Sequence, residues 1–442
     1  MGPAVDPVPC DETLPARADV VVIGGGIIGA SAALFLARRG VSVVLCEKGQ
    51  IAGEQSSRNW GWARKMGRDP RELPLIIESL RIWEGLDALV EADTGFRRTG
   101  ILYLRGSERE AAADAAWLEA ARPYQLDTRL VGPREIAKLL PGAAVAWRSG
   151  LYTPSDGRAE PQKAAPAIAA AARRHGAVVL TGCAVRGLDT AGGRVAAAVT
   201  EKGRIACQAA VLAGGVWSRL FCHGLGIRLP QLKVRATVLR TTPVEGPFEG
   251  AVWAPGFAFR KRLDGGYTVA DGHTHVVDIV PDSLAFLADF LPTLRLEWRS
   301  LRPRVGRAFL ADWGRARPVA LDRPSPYERV RVLDPGPDAA ANRAAWAALV
   351  RAFPAFAAAG VAQQWAGLID VTPDAVPVIS AVDALPGFFI ATGFSGHGFG
   401  IGPGAGRLVA DLVTGDPPVV DPAPFRLSRF SDGSRPRPQA GL

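Results

Sequence analysis

Gly24, Gly26 and Gly29 follow directly on four aliphatic residues, Val20-Val21-Val22-Ile23, and Glu47 stands 18 residues beyond the last glycine. These residue types at this spacing suit a dinucleotide. Gly24 permits a tight turn, Gly26 lets a pyrophosphate approach the backbone, and Gly29 lets a helix pack close to the strand. The helix start at Ile27 and Ile28 offers free N–H groups and a partial positive charge to phosphates. A carboxylate at Glu47, next to Lys48, accepts bonds from a ribose hydroxyl. A second glycine-rich run, Gly393-Phe-Ser-Gly-His-Gly-Phe-Gly400, lies near the far end of the chain. A helix whose N-terminus falls within 396–402 aims N–H groups at an electron-rich ring edge and stabilises negative charge there. His397 sits between glycines, which argues against a packed core role. Arg64, Trp60, Trp62 and Asp370 are further candidates. So are His273 and His275, which alternate on a strand end and point the same way, toward a cavity or toward solvent.

The elements that must position these groups read as follows. Residues 20–23 form a buried strand, 30–39 a helix and 41–45 a second strand. Residues 51–69 make a polar crossover. Helical periodicity covers 75–91, with Ile76, Leu80, Trp83 and Leu86 on one face. A strand at 99–104 precedes helices at 108–122 and 132–141. The helix at 161–175 carries Pro161 in its first turn. Strands follow at 177–180, 183–189, 195–201 and 204–207, and a buried strand at 209–217 stops at two glycines. Long mixed strands come next, at 232–241, 257–263 and 267–270, the last two joined by Asp264-Gly265-Gly266. Residues 281–291, capped by Asp282 or Ser283, and 340–359 are helical. A strand at 388–392 leads through the second glycine run to a helix at 405–414. The tail after Gly415 wraps the surface.

At 442 residues the chain suits two or three domains, and 48% hydrophobic residues support a large core. No apolar run reaches the roughly 18 residues that cross a bilayer. The N-terminus lacks a basic start followed by an apolar stretch, so no signal peptide is expected. Five cysteines without a C-x-x-C pair point to a reducing, cytoplasmic compartment and no metal. The net charge of +9 reflects an arginine-rich composition or attraction to acidic partners. Only 295–307 concentrates it, with five arginines around Trp298, a stretch suited to peripheral contact with an anionic membrane surface. Nothing matches a nucleic-acid-binding module, so no nucleic-acid partner is expected.

With these motifs the chain resembles the FAD-dependent amine and amino-acid oxidoreductases of the D-amino-acid-oxidase class, which includes glycine oxidase, sarcosine oxidase and D-amino-acid dehydrogenase. The resemblance covers roughly residues 19–414. It is carried by the first glycine turn, Gln55-Ser-Ser-Arg-Asn-Trp-Gly61, Ala210-Val-Leu-Ala-Gly-Gly-Val-Trp-Ser218, Trp365-Ala-Gly-Leu-Ile-Asp-Val-Thr-Pro-Asp374 and the second glycine run. It implies noncovalent FAD, because tethering members use a histidine early in the flavin segment or a late cysteine, and neither is present. It places Gly24, Gly26 and Gly29 at the pyrophosphate and Glu47 at the ribose. Ser56, Ser57 and Asn59 would follow the phosphates and ribityl chain, with Gly61 and Trp62 under the flavin. Val185 would meet the adenine, and Ala213, Gly214 and Trp217 would border the dinucleotide. Gly393, Gly396, His397, Gly398, Phe399, Gly400 and Ile401 would face the flavin's pyrimidine edge.

The expected fold is α/β, a Rossmann-like FAD-binding domain (1–90, 147–228, 362–442) interleaved with a mixed-sheet substrate domain (91–146, 229–361). The expected activity is oxidation of a C–N bond in a small amine or amino acid, hydride passing from the α-carbon to flavin N5, with the imine then hydrolysed. A partner-dependent flavoprotein subunit is the alternative; an aromatic-ring monooxygenase fits the second glycine run poorly. Arg64, His397, Asp370 and His273 are the candidate catalytic residues. The chain departs from the resemblance in one respect. Many amino-acid-oxidising members carry an arginine before the Thr-Pro-Asp-like run, where this chain has Leu368-Ile369-Asp370. Sarcosine oxidases also use a lysine where this chain has Gly400. Either another cation, Arg64 first, takes a substrate carboxylate, or the substrate is not a simple α-amino acid. An acid at 370 facing the cavity would favour a second amine. Either way a larger amine is expected to outperform glycine, sarcosine and D-alanine.

Overall fold

The computed structural model describes residues 2–272, 275–298, 300–316, 319–434 and 436–438. Val20–Ile23 sits inside a six-stranded sheet, paired in parallel with Ala209–Leu212 on one side and Val43–Cys46 on the other. Val178–Leu180 and Phe388–Thr392 extend it in parallel, and Val378–Ala381 closes one edge antiparallel. Such strands are covered on both faces, so they read as unbroken aliphatic runs.

The helix Ile27–Ala37 is buried along its whole length, which is why it shows no polar stripe. It packs against both the sheet and the helix Gly398–Thr414. The latter begins seven residues before the expected 405, through four glycines and Pro403. Intrinsic propensity opposes that start, and packing overrides it. A Cβ at Gly402 would stand 3.0 Å from Ile27, one at Gly404 2.8 Å from Ser79, and one at Gly406 2.3 Å from Ser31. Only bare backbone lets the helices approach so closely. Ser79 Oγ is inserted into the ladder: it donates to the Gly400 carbonyl and accepts from Gly404 N–H.

The second large sheet has ten strands and mixed pairing. The expected strands Leu232–Thr241, Phe257–Lys261 and Tyr267–Ala270 belong to it, the last two as an antiparallel hairpin. Val361–Val371, not expected as a strand, pairs antiparallel with Leu232–Thr241 along ten positions. Ser149–Thr153 joins the same sheet through Ile101–Arg105. Both segments therefore pair within the mixed sheet. The 209–217 strand ends at Leu212 and turns into a short 3-10 helix, Gly215–Trp217. The 281–291 helix divides into Pro281–Ala285 and Leu287–Glu297, and Val280 rather than Asp282 or Ser283 precedes it. Ser283 instead accepts from Val280 N–H through its hydroxyl. The 340–359 helix ends at Ala352 before a 3-10 turn that begins with Pro354. In the tail, Phe425 is buried and Arg429 pairs with buried Asp374.

Among the described residues no helix is long and apolar enough to cross a membrane, and no group of three or more His, Cys, Asp or Glu could hold a metal.

Candidate active site

A continuous cavity runs from the first glycine turn, between the two sheets, to a cluster of tryptophans. At its entry end, Gly24 has φ +110° and Gly29 packs on the strand, where its Cβ would lie 1.9 Å from Gly24 O. Gly24, Gly26, Ile27 and Ile28 line the cavity; Gly29 lets the turn form without reaching it. Ser56 Oγ accepts from Ile27 N–H at 2.8 Å, so this hydroxyl sits at the helix N-terminus. Glu47 is half-buried and accepts from Gly25 N–H and Gly49 N–H, both at 2.7 Å. Burial raises its pKa and those two donors oppose the rise. Val185, Ala213, Gly214 and Trp217 border the same end.

Several expected contacts lie elsewhere. Lys48 lines the cavity, but its ammonium binds Glu54 at 2.7 Å and the carbonyls of Val330 and Arg331, so it serves as a strut. Ser57 turns away and donates to Glu54 O. Gly61 packs on Ala159 O and the Arg260 guanidinium, and Gly393, Gly400 and Ile401 are also not among the lining residues. Ile401 is core, the Gly400 carbonyl is taken by Ser79 and Trp83, and Gly393 N–H binds Asp370. Asn59 bridges the turn, donating to Gln55 O and Ser56 O while accepting from Gly61 N–H.

Asp370 borders the cavity, yet its carboxylate is spent on the scaffold. Oδ1 accepts from Gln55 Nε2 at 2.6 Å; Oδ2 accepts from Gln231 Nε2, Thr392 Oγ1 and Gly393 N–H. So engaged, the side chain braces these segments against one another at the edge of the cavity. Sequence reasoning quoted Gln55 in a motif without giving it a role and missed Gln231, because two glutamines 176 positions apart carry no shared pattern.

At the inner end Trp60, Trp62 and Trp253 meet edge to face, with centroids 5.2, 5.5 and 6.1 Å apart. His275 lines this end, whereas His273 lies outside the described residues. His397 is buried at the start of the Gly398–Thr414 helix, its Nδ1 3.2 Å from Glu72 Oε2. Burial first, then the neighbouring Arg68 charge, lowers its pKa to about 4, so the imidazole is neutral at ordinary pH. Arg64 and Arg68 both line the cavity beside it.

This cavity fits FAD. Its outer part has the strand–turn–helix cradle with the Glu47 carboxylate beside it, and the second helix N-terminus opens onto it midway. At Gly396 the space of a Cβ meets nothing closer than Ile369, at 3.8 Å.

The comparisons agree with this geometry. The L-amino acid deaminase of Proteus myxofaciens, solved in complex with anthranilate, superposes with a TM-score of 0.94 at 34% identity, covering 97% of each chain. The sarcosine oxidase subunit beta of Rhizobium meliloti (strain 1021) is 25% identical over 94% of this chain and 89% of its own length. Mouse mitochondrial sarcosine dehydrogenase is 24% identical over 97% of this chain, which spans only 43% of that protein. The family described as DAO, FAD dependent oxidoreductase, matches residues 19–412, and the chain belongs to it.

Proposed function

We propose that this oxidoreductase acts on the C–N bond of an amino acid or secondary amine with a large apolar or aromatic side chain. The observation that carries this reading is the single cavity joining a dinucleotide cradle to a tryptophan wall. When bound, FAD supplies a two-electron acceptor for the hydrogen and electron pair leaving the α-carbon. The chain's own residues do the rest. Gly24, Gly26 and Ile27 hold phosphates, Glu47 holds a ribose, and the start of the Gly398–Thr414 helix stabilises negative charge at the ring edge. The tryptophans exclude water and orient the α-carbon. Neutral His397 adds no positive charge beside the amine. The resulting imine hydrolyses in water.

Anaerobic mixing with both enantiomers of an amino-acid panel and with secondary amines tests this. Large aromatic amino acids are expected to bleach the flavin band, and glycine, sarcosine and D-alanine to do so at least about tenfold more slowly, since the wall then loses most of its apolar contact. Fast reduction by sarcosine or D-alanine overturns the size selection. Bleaching of the isolated chain also rules out a subunit that depends on a partner; no bleaching by any amine favours that alternative.

The FAD is held without a covalent bond in this reading. Residues 55–64 contain no histidine and no cysteine follows Cys222. Acid precipitation is expected to leave the yellow colour in the supernatant, and a washed pellet that stays yellow contradicts it.

Peripheral membrane contact is supported by 281–315. Leu284, Leu287, Leu291, Leu296, Trp298, Leu310 and Trp313 are exposed there, together with Arg295, Arg302 and Arg307. Each basic residue near an anionic surface contributes about 1 kcal/mol. Co-sedimentation with phosphatidylglycerol vesicles at low salt is expected, and none with phosphatidylcholine. Equal recovery in the supernatant from both vesicles overturns the contact.

A further inference from the structure

Residues 321–334 run between the helices Arg307–Arg315 and Ala339–Ala352 and border the glycine-turn end of the cavity. Tyr327, Arg331 and Val332 line it there, with Glu47, Lys48 and Val185. The segment holds Pro324 and Pro326, and Pro335 and Pro337 follow it. Proline supplies no N–H, so such a stretch is a poor recruit for a sheet. The fold agrees: the single short helix Pro326–Arg329 is the segment's one regular element. Among the described residues no backbone–backbone hydrogen bond joins 321–334 to the rest of the chain.

Side chains tie it down instead. Arg186, next to Val185, donates to Glu328 from Nε at 2.8 Å and from Nη2 at 3.0 Å, and to Leu321 O from Nη1 at 3.1 Å. Arg331 grips both Glu201 oxygens and donates to Lys48 O at 2.9 Å. Lys48 in turn donates to the Val330 and Arg331 carbonyls. Leu333 N–H reaches Glu54, and Asp334 accepts from Arg58. Apolar contact adds Tyr327, edge to face on Trp217 with centroids 5.7 Å apart, and Val330 and Leu333 at the margin of a core cluster. Lifting this segment therefore breaks no strand ladder. It breaks ion pairs that are partly exposed and that salt screens, together with limited apolar contact.

We propose that 321–334 is a strap over the adenosine end of the FAD site, where Glu47 and Val185 lie, and that FAD exchanges only when the strap lifts. This rests on the noncovalent FAD reading above. The anchors are all groups of the chain itself, so closure does not wait on the cofactor. A gate of that kind slows entry and exit together, whereas a wall that touches only bound FAD slows exit alone. Loss of an anchor therefore speeds exchange far more than it weakens affinity.

Holoenzyme carrying isotopically labelled FAD, made in cells fed labelled riboflavin, is mixed with a large excess of unlabelled FAD, and the retained label is followed in time. Equilibrium dialysis, read by the fluorescence of free FAD, gives the affinity. Arg186→Met removes that residue's bonds to Glu328 and Leu321, and Glu201→Gln weakens the Arg331 pair; neither residue lines the cavity. Arg186→Met is expected to speed exchange about fivefold or more, as loss of charge-assisted bonds requires, with affinity within about twofold, and Glu201→Gln to act in the same direction. Trypsin cleavage after Arg329, exposed on the strap, is expected to rise in step. The wild type is expected to exchange faster at high salt than at low salt. Asp114→Asn is the control: it weakens a bidentate pair with Arg105 away from the cavity, and exchange is expected to stay as in the wild type. Unchanged exchange in Arg186→Met overturns the proposal. So does exchange that rises only in proportion to lost affinity, or that rises equally in Asp114→Asn. The two readings fail separately. Label that never leaves the wild type and stays with acid-precipitated protein removes the noncovalent reading, and the gate with it. Exchange in the wild type that is indifferent to residues 186 and 201 removes the gate alone.

Discussion

Gly29→Ala is expected to abolish recovery of yellow protein. The added Cβ would lie 1.9 Å from Gly24 O and 3.3 Å from the Ala213 Cβ. Neither obstacle is the end of a flexible side chain. Gly24 is fixed by its own N–H bond to Cys46 O, and Ala213 by its N–H bond to Ile23 O. The helix Ile27–Ala37 cannot retreat, because it is buried on every side. Overpacking of a well-packed core costs roughly 1–3 kcal/mol when side chains absorb it, and here backbone must move. A cost above about 4 kcal/mol is a large part of the 5–15 kcal/mol that holds a domain together. The same shift moves Gly26 and Ile27, so any folded remnant is expected to lack flavin. Gly85→Ala is the control. It lies exposed within Leu73–Val90, with nothing within 4 Å of the new Cβ, and is expected to stabilise by about 0.5–1 kcal/mol. The ratio of absorbance at the flavin band to that of protein, with the thermal midpoint, measures both. A Gly29→Ala protein with wild-type flavin content contradicts the account.

What the sequence revealed divides along a physical line. The turn at Gly24–Gly29 was legible because strand, glycines, helix and acid are contiguous, and each has a local cause. The hairpin at Asp264-Gly265-Gly266 was legible for the same reason. The start of the Gly398–Thr414 helix was not, because its cause is remote: Ile27, Ser31 and Ser79 on two other helices require bare backbone opposite them. The strand Val361–Val371 was missed because Gly367 and two glutamines blur its alternation, and its definition comes from ten pairings with Leu232–Thr241. Arg64 was singled out from its place after the flavin segment. Arg68 was passed over, although it follows at four positions, because an arginine-rich chain makes any one arginine look ordinary. What distinguishes it is burial without a carboxylate partner among the described residues, which only the fold discloses.

Replacing Asp370 tests the largest difference between the two levels of reading. In sequence an acid beside the cavity invites a cationic substrate group. In the fold it is the hub joining three elements: Gln55 from the flavin crossover, Gln231 from the approach to the mixed sheet, and Thr392 with Gly393 from the turn that leads to the second glycine run. Burial raises its pKa, and the bonds from Gln55, Gly393 and Thr392 hold the carboxylate against that rise. Asp370→Leu leaves these donors buried and unpaired, each at a cost of about 1–3 kcal/mol, so little folded protein is expected. Asp370→Asn keeps one acceptor oxygen and loses the charge assistance at its two 2.6 Å contacts, which predicts a loss of about 1.5–3 kcal/mol. Because Gly393 N–H is one of those contacts, the loss is expected to appear as weaker FAD retention and a lower thermal midpoint. The ratio of kcat/KM between a neutral aromatic amino acid and its basic counterpart is expected to stay the same, since both Asp370 oxygens are already tied to the scaffold. A selective rise in KM for the basic substrate, with FAD affinity unchanged, would return Asp370 to the substrate and take away its role as brace.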